Sequence, residues 1–172
     1  MKDVSDKNFG LIIAFLLPGF ILLWGLSGSF ESIARLLSSP TEKDAPSVGG
    51  FLYATLASLS LGLLLSAARW LVIDHLLGWI GVRDPGLKFE NLKEKDRYAA
   101  FLGVVENHYR YYQYYANTLA AILLSLAADL AFGKAPLAAS AWFAIGGVSV
   151  ALFLGAHDAL KKYYERANAV LK

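Results

Sequence analysis

The chain contains no cysteine, which excludes a disulfide framework, a thiolate nucleophile and any cysteine-ligated metal. It is also poor in charge. Asp, Glu, Lys and Arg make up 17% of the 172 residues, against 56% hydrophobic, with a mean hydropathy of +0.46. A soluble domain of this length has too little polar material in such a composition to cover its surface, so the balance is that of a membrane protein. No long stretch is left for a separate globular unit, and one membrane domain, 1–172, is expected. Internal repeats, low-complexity tracts and domain linkers are absent. So are the serine-hydrolase elbow GxSxG, a Walker A glycine loop, the zinc motif HExxH and the aspartate array with which lipid phosphotransferases hold Mg²⁺. No cofactor is implied, and catalysis is demoted without being excluded. No apolar stretch carries a charge at its centre, which argues against a proton-coupled transporter built on a carboxylate relay.

What is present is a set of four apolar stretches. Phe9 to Ser27 is uncharged and, as a helix, roughly 28 Å long, which matches the hydrocarbon thickness. Pro18 and Gly19 in its middle predict a kink, either an ordinary one or a gating hinge. Phe51 to Ala68 is the second span. Arg69 ends it, placed to snorkel towards phosphates, and the helical pattern runs on to about Ile80. A loop over Gly28–Gly50, with Ser38, Ser39, Pro40 and Pro46, joins these two spans, and Glu31 to Leu37 reads as a short amphipathic turn within it. Asp84, Pro85 and Gly86 predict a turn. A helix from about Lys93 then presents Tyr98, Phe101, Leu102, Val105, Tyr109 and Tyr112 on one face and becomes the third span, Tyr115 to Phe132. Gly133, Lys134 and Ala135 make a tight turn, with Pro136 in the first turn of the next helix, and force an antiparallel hairpin with the fourth span, Leu137 to Ala156. The expected fold is therefore an all-α integral membrane four-helix bundle, spans about 9–27, 51–68, 115–132 and 137–156. Helical cytoplasmic extensions of spans two, three and four fill about 69–114 and 157–171.

Charge sets the expected topology. Four spans put both termini and the middle loop on one side, and that side carries every Lys and Arg except Arg35, Lys43 and Lys134. The positive-inside rule makes it the cytoplasm. Small residues recur every four positions at Ala54, Ser58, Gly62 and Ser66, and again at Ala139, Gly147, Ala151 and Gly155 with Phe143 intervening. Such faces let helices approach closely, within one bundle or between copies of a homo-oligomer.

Three groups of residues at the cytoplasmic surface carry the chemistry. All three histidines lie there beside carboxylates: His75 with Asp74, His108 with Glu106, His157 with Asp158. Each pair is adjacent or two apart, so its members diverge on a helix, and a metal or acid/base site would need all three pairs to converge. The second group is a tyrosine band, Tyr109, Tyr111, Tyr112, Tyr114 and Tyr115, together with Lys161, Lys162, Tyr163, Tyr164 and Arg166. It is either a headgroup belt or a set of stacking faces and cations for a nucleotide or anionic headgroup. The third is a polar stripe, Arg110, Gln113 and Asn117, that enters the membrane on one face. It serves either interhelical hydrogen bonds or the vestibule of an oligomer, with Glu106 and Arg110 placed to pair at i, i+4. Arg110, Tyr112, Gln113, Asn117, Lys161, Lys162 and Arg166 are thus the candidate ligand residues.

The stretches DKNFGLIIAFLLPGFILLWGLS and RYYQYYANTLAA resemble those of small, largely uncharacterised bacterial four-span membrane proteins. That resemblance implies a bacterial inner membrane and brings no activity or catalytic residue with it. Three functions remain open. One is a homo-oligomeric channel or membrane-perturbing effector, for example of a prokaryotic defence system, gated through the Tyr/Arg/Lys surface by an anionic ligand or a cytoplasmic protein partner. The others are a lipid-acting enzyme using the interfacial His, Asp and Glu, and a non-catalytic accessory subunit held to a partner.

Overall fold

The structure, a computed structural model, describes residues 10, 12–37, 48–132 and 138–172, and among these its regular structure is all helical, with no strand. Helix α1 spans Ile12–Ser27, α2 Glu31–Leu37, α3 Gly49–Trp79, α4 Asp96–Phe132 and α5 Ala139–Leu171. The last three have 31, 37 and 33 residues and are long and apolar enough to cross a membrane; α1 is shorter. A span needs only about 20 residues, so each long helix projects beyond the bilayer. The tight turn expected at Gly133–Ala135 with Pro136, the loop residues Ser38, Ser39, Pro40 and Pro46, and the terminal Lys2 and Lys7 lie outside the described residues.

Helices α1, α3 and α4 pack closely on one another, whereas α5 makes its main contacts with α4. Residue pairs fix the directions. Phe15 meets Gly62 and Gly19 meets Ser58, so α1 and α3 are antiparallel, while Ala14 meets Asn117 and Gly25 meets Ser125, so α1 and α4 are parallel. Tyr109 beside Tyr163 and Tyr115 beside Gly155 make α4 and α5 the expected antiparallel hairpin. Gly10, the middle loop and the C-terminus therefore share one end, where Asn91 Nδ2 donates to the Leu171 carbonyl at 2.6 Å.

The core has two tiers. Leu22, Leu65, Ala116, Leu119, Ala120 and Ala121 pack between α1, α3 and α4, and Ile73, Leu77, Val82, Val104, Tyr163 and Ala167 pack in the projecting tier. Every buried residue of α5 comes from Ala156 onwards; the half before it faces outwards. Of the two small-residue faces, the α3 face is used within the chain. A Cβ on Gly62 would stand 2.0 Å from the Phe15 carbonyl oxygen, and one on Gly19 1.7 Å from that of Ser58. Ala139, Phe143, Gly147 and Ala151 of the other face are exposed, and only Gly155 is in close contact, against the Tyr115 ring.

Three helices contain a π-helical turn: Ile12–Leu16, Trp70–Asp74 and Val105–Tyr109. Each inserts one residue and rotates the faces on either side. That rotation corrects the expected α4 face. Val104, not Leu102, joins Tyr112 in the core, and Tyr98 stays half-exposed. Helix α3 ends in a Schellman motif: Gly81 takes φ +101°, its N–H bonds the Gly78 carbonyl at 3.4 Å, and the Val82 N–H bonds that of Leu77 at 2.9 Å. Gly81→Ala should cost about 1–2 kcal/mol, the left-handed penalty of a side chain, and lower the melting temperature measured by circular dichroism.

Candidate functional site at the tyrosine-rich end

Pro18 has no N–H to give the carbonyl four residues back, which belongs to Ala14. Asn117 supplies the missing donor. Its fully buried side-chain Nδ2 reaches the Ala14 oxygen at 2.8 Å and the Ser66 Oγ at 3.2 Å, so one amide joins α1, α3 and α4. A π-helical turn, Ile12–Leu16, lies just before Pro18, and Asn117 ties it to α4.

One turn towards the projecting end lies a charged cluster. Arg69 does not snorkel. Its side chain is only 7% exposed, with its Nε 3.5 Å from Asp74 Oδ1 and its guanidinium carbon 4.9 Å from the centre of the Tyr112 ring. The Tyr112 hydroxyl donates to the same Asp74 carboxylate. Arg69 and Asp74 bracket the π-helical turn of α3, which brings both to Tyr112. The ion pair and the ring face offset part of the cost of burying the cation, whose Nε and Nη1 are enclosed without a hydrogen-bond partner. Beside it, Arg110 Nη1 donates to Gln113 Oε1 at 3.1 Å, and its Nε stands 3.7 Å from Glu106 Oε1, the expected i, i+4 pair. The polar stripe Arg110, Gln113 and Asn117 is therefore turned into the chain's own interior.

The tyrosines divide in the same way. Tyr112 and Tyr163 are buried, and Tyr109 stacks between them at 5.8 and 4.9 Å; Tyr111 is exposed. Tyr109, Tyr115 and Tyr163 thus form an aromatic layer between α4 and α5, and Tyr112 extends it to α3.

His75 stands apart, whereas His108 and His157 both act electrostatically on Asp158. His75 Nδ1 is 2.9 Å from the Trp70 carbonyl, with its ring edge-on to that indole. His108 lies within electrostatic reach of Asp158, Lys162 and Arg166 on α5. His157 lines a cleft described next. Among the described residues no three His, Asp or Glu side chains gather to hold a metal ion.

That cleft, about 390 Å³, lies between the end of α3 and the α5 surface. Its walls are Ile80 to Arg83 and Pro85 on one side and His157, Lys161, Tyr164, Glu165 and Asn168 on the other. The α5 residues recur at the spacing of one helical face. Arg83 is held in place, its Nε donating to the Gly78 carbonyl at 2.8 Å, and the following turn is fixed by Asp84 Oδ1 accepting from the Gly86 and Leu87 N–H groups at 2.9 and 3.2 Å. Two cations, an imidazole, an amide and a phenol ring thus surround an open space, with Glu165 the single acid. Of the basic ligand candidates only Lys161 lines it. Lys162 points elsewhere and pairs with Asp158 at 2.7 Å, and Arg166 lies on the side of His108.

Sequence reasoning reached Lys161 and missed its partnership with Arg83 and His157. The periodicity of His157, Lys161, Tyr164 and Asn168 was a usable signal for one wall; nothing local announces Arg83, which arrives from the non-helical segment after α3. No family model matches the chain, and neither a curated protein nor a solved structure matches it, so the fold and the site rest on the chain's own geometry.

Proposed function

We propose that this chain is a four-span protein of a bacterial cytoplasmic membrane, with both termini in the cytoplasm, that binds a phosphate-bearing anion in the Arg83/His157/Lys161 cleft. The observation that carries this is the cleft itself: two cations, one from the non-helical segment after α3 and one from α5, facing one open volume, the first pre-positioned by a backbone carbonyl. From Ala139 at the far end, Lys161 lies about 33 Å along α5, one bilayer thickness. The cleft therefore opens at headgroup depth, with the exposed Trp79 and Ile80 at its edge. A lipid phosphate and a soluble di- or triphosphate present the same oxygens to such a site, and Tyr164 adds a face for a base or a glycerol.

One copy spends its polar stripe on its own interior, which favours a ligand-reading receptor over a pore. Homo-oligomerisation, if it accompanies this role, would use the outward Ala139, Gly147 and Ala151 face of α5. The effector, enzyme and accessory-subunit readings have no comparable geometric support.

Isothermal titration of the protein in phosphatidylcholine nanodiscs with pyrophosphate should show saturable binding to one site per chain. Lys161→Gln and Arg83→Gln should each weaken it roughly tenfold with the melting temperature unchanged, the share expected of one charge-assisted contact. Repeating the titration with phosphatidylglycerol in the disc separates the sources: loss of pyrophosphate binding means that lipid phosphate holds the site, and retained binding means a soluble ligand. Absent binding in both discs, or indifference to the two substitutions, would refute the assignment.

A further inference from the structure

The opposite end of the molecule carries a second cleft of opposite character. It measures about 430 Å³ and lies between α1, α4 and α5, lined by Ile21 and Trp24 of α1, Ile122, Ser125 and Asp129 of α4, and Ile145 of α5, among others. The cleft exists because α5 leaves the bundle there: Gly146 and Gly147 have nothing within reach of a side chain, and the half of α5 before Ala156 is largely exposed. Its sides are aliphatic and open towards lipid. Its polar side chains are one acid, Asp129, and two hydroxyls, Ser125 and Ser27, the latter donating to the Trp24 carbonyl at 2.6 Å. Asp129 lies about 28 Å along α4 from Arg110, at the far membrane surface, and among the described residues no cation pairs with it. The Ser125 Oγ is buried without a hydrogen-bond partner, facing Gly25, where a Cβ would stand 2.1 Å away. Trp24, 66% exposed, stands at the rim.

We infer that this cleft is a specific binding site for a phospholipid with a primary-amine headgroup, one acyl chain lying against Ile21, Ile122 and Ile145 and the ammonium at Asp129. Apolar walls in contact with the bilayer select an acyl chain over a soluble ligand. A carboxylate with no cation partner among the described residues, at headgroup depth, selects an ammonium and repels a purely anionic lipid. Ammonium N–H groups can donate to the carboxylate, which a trimethylated choline cannot do. The site is independent of the phosphate cleft in residues, location and charge, so either assignment can fail alone.

Native mass spectrometry of the protein released from nanodiscs holding equal amounts of phosphatidylethanolamine and phosphatidylcholine tests this. The expected result is one retained phosphatidylethanolamine per chain, favoured roughly tenfold over phosphatidylcholine. The preference should vanish in Asp129→Asn and persist in Lys161→Gln. Ile145→Trp, which fills the cleft and leaves the carboxylate in place, should lose the retained lipid with helicity and melting temperature intact. Equal retention of both lipids by the unaltered protein, or an unchanged preference in Asp129→Asn, would overturn the inference. So would a cleft that excludes lipid because a second copy or a partner helix occupies it, seen as a higher mass with no lipid bound.

Discussion

Gly62→Leu should destabilise the protein by about 3 kcal/mol or more, beyond the ordinary cost of overpacking a core. At Gly62 and Gly19 backbone meets backbone, and the oxygens of Phe15 and Ser58 would lie 2.0 and 1.7 Å from the new Cβ atoms. No rotamer relieves such a clash. The helices must separate, which removes packing around Leu22, Leu65 and the buried Ser58 and the interhelical contact on which association in lipid depends. Gly103→Leu is the matching control, because a side chain there meets nothing and leucine is the better helix former. Thermal unfolding in detergent should separate the two by many degrees. Equal melting temperatures would show that α1 and α3 do not cross at these glycines.

Asn117→Leu has the second-largest expected effect, about 1–3 kcal/mol, because it removes the donor from a buried carbonyl with little change of volume. The cause can be isolated. In Pro18→Ala, residue 18 regains an N–H and can serve the Ala14 carbonyl itself, so the two substitutions should be non-additive. Asn117→Leu in the Pro18→Ala background should cost less than in the unaltered chain. The difference will not be total, since the bond to Ser66 is lost in both. Strict additivity in chemical or thermal unfolding would mean that Asn117 stabilises the bundle for some reason other than the proline.

These effects also mark how far the sequence could be read. The long apolar helices, the Glu31–Leu37 helix, the continuation of α5 to Leu171 and the antiparallel hairpin are consequences of hydropathy, period and loop length, which act locally. The small-residue recurrence on α3 pointed to a close approach, although it could not say to which helix. The three π-helical turns were not legible: an inserted residue is stabilised by what the helix packs on, and only the first has a nearby proline. Arg69 shows the same limit. At the end of an apolar run it reads as an interfacial snorkel, and its burial depends on Asp74 across a π turn and Tyr112 from a different helix. The tyrosines are suited equally to a headgroup layer and to an interhelical layer, and only the arrival of α5 against α4 places Tyr109, Tyr115 and Tyr163 between helices. In the first cleft, Arg83 and Lys161 are separated by the whole of α4, a distance no motif bridges.

The absence of cysteine makes the central claim open to one measurement. Glu165→Cys places a single thiol in the cleft and removes its only acid, leaving Arg83, His157 and Lys161 untouched. A membrane-impermeant maleimide should label it in inside-out vesicles and not in intact spheroplasts, and either pyrophosphate or phosphatidylglycerol should slow the labelling. Labelling from the outer side would contradict the topology. Cytoplasmic labelling that neither anion slows would contradict the site.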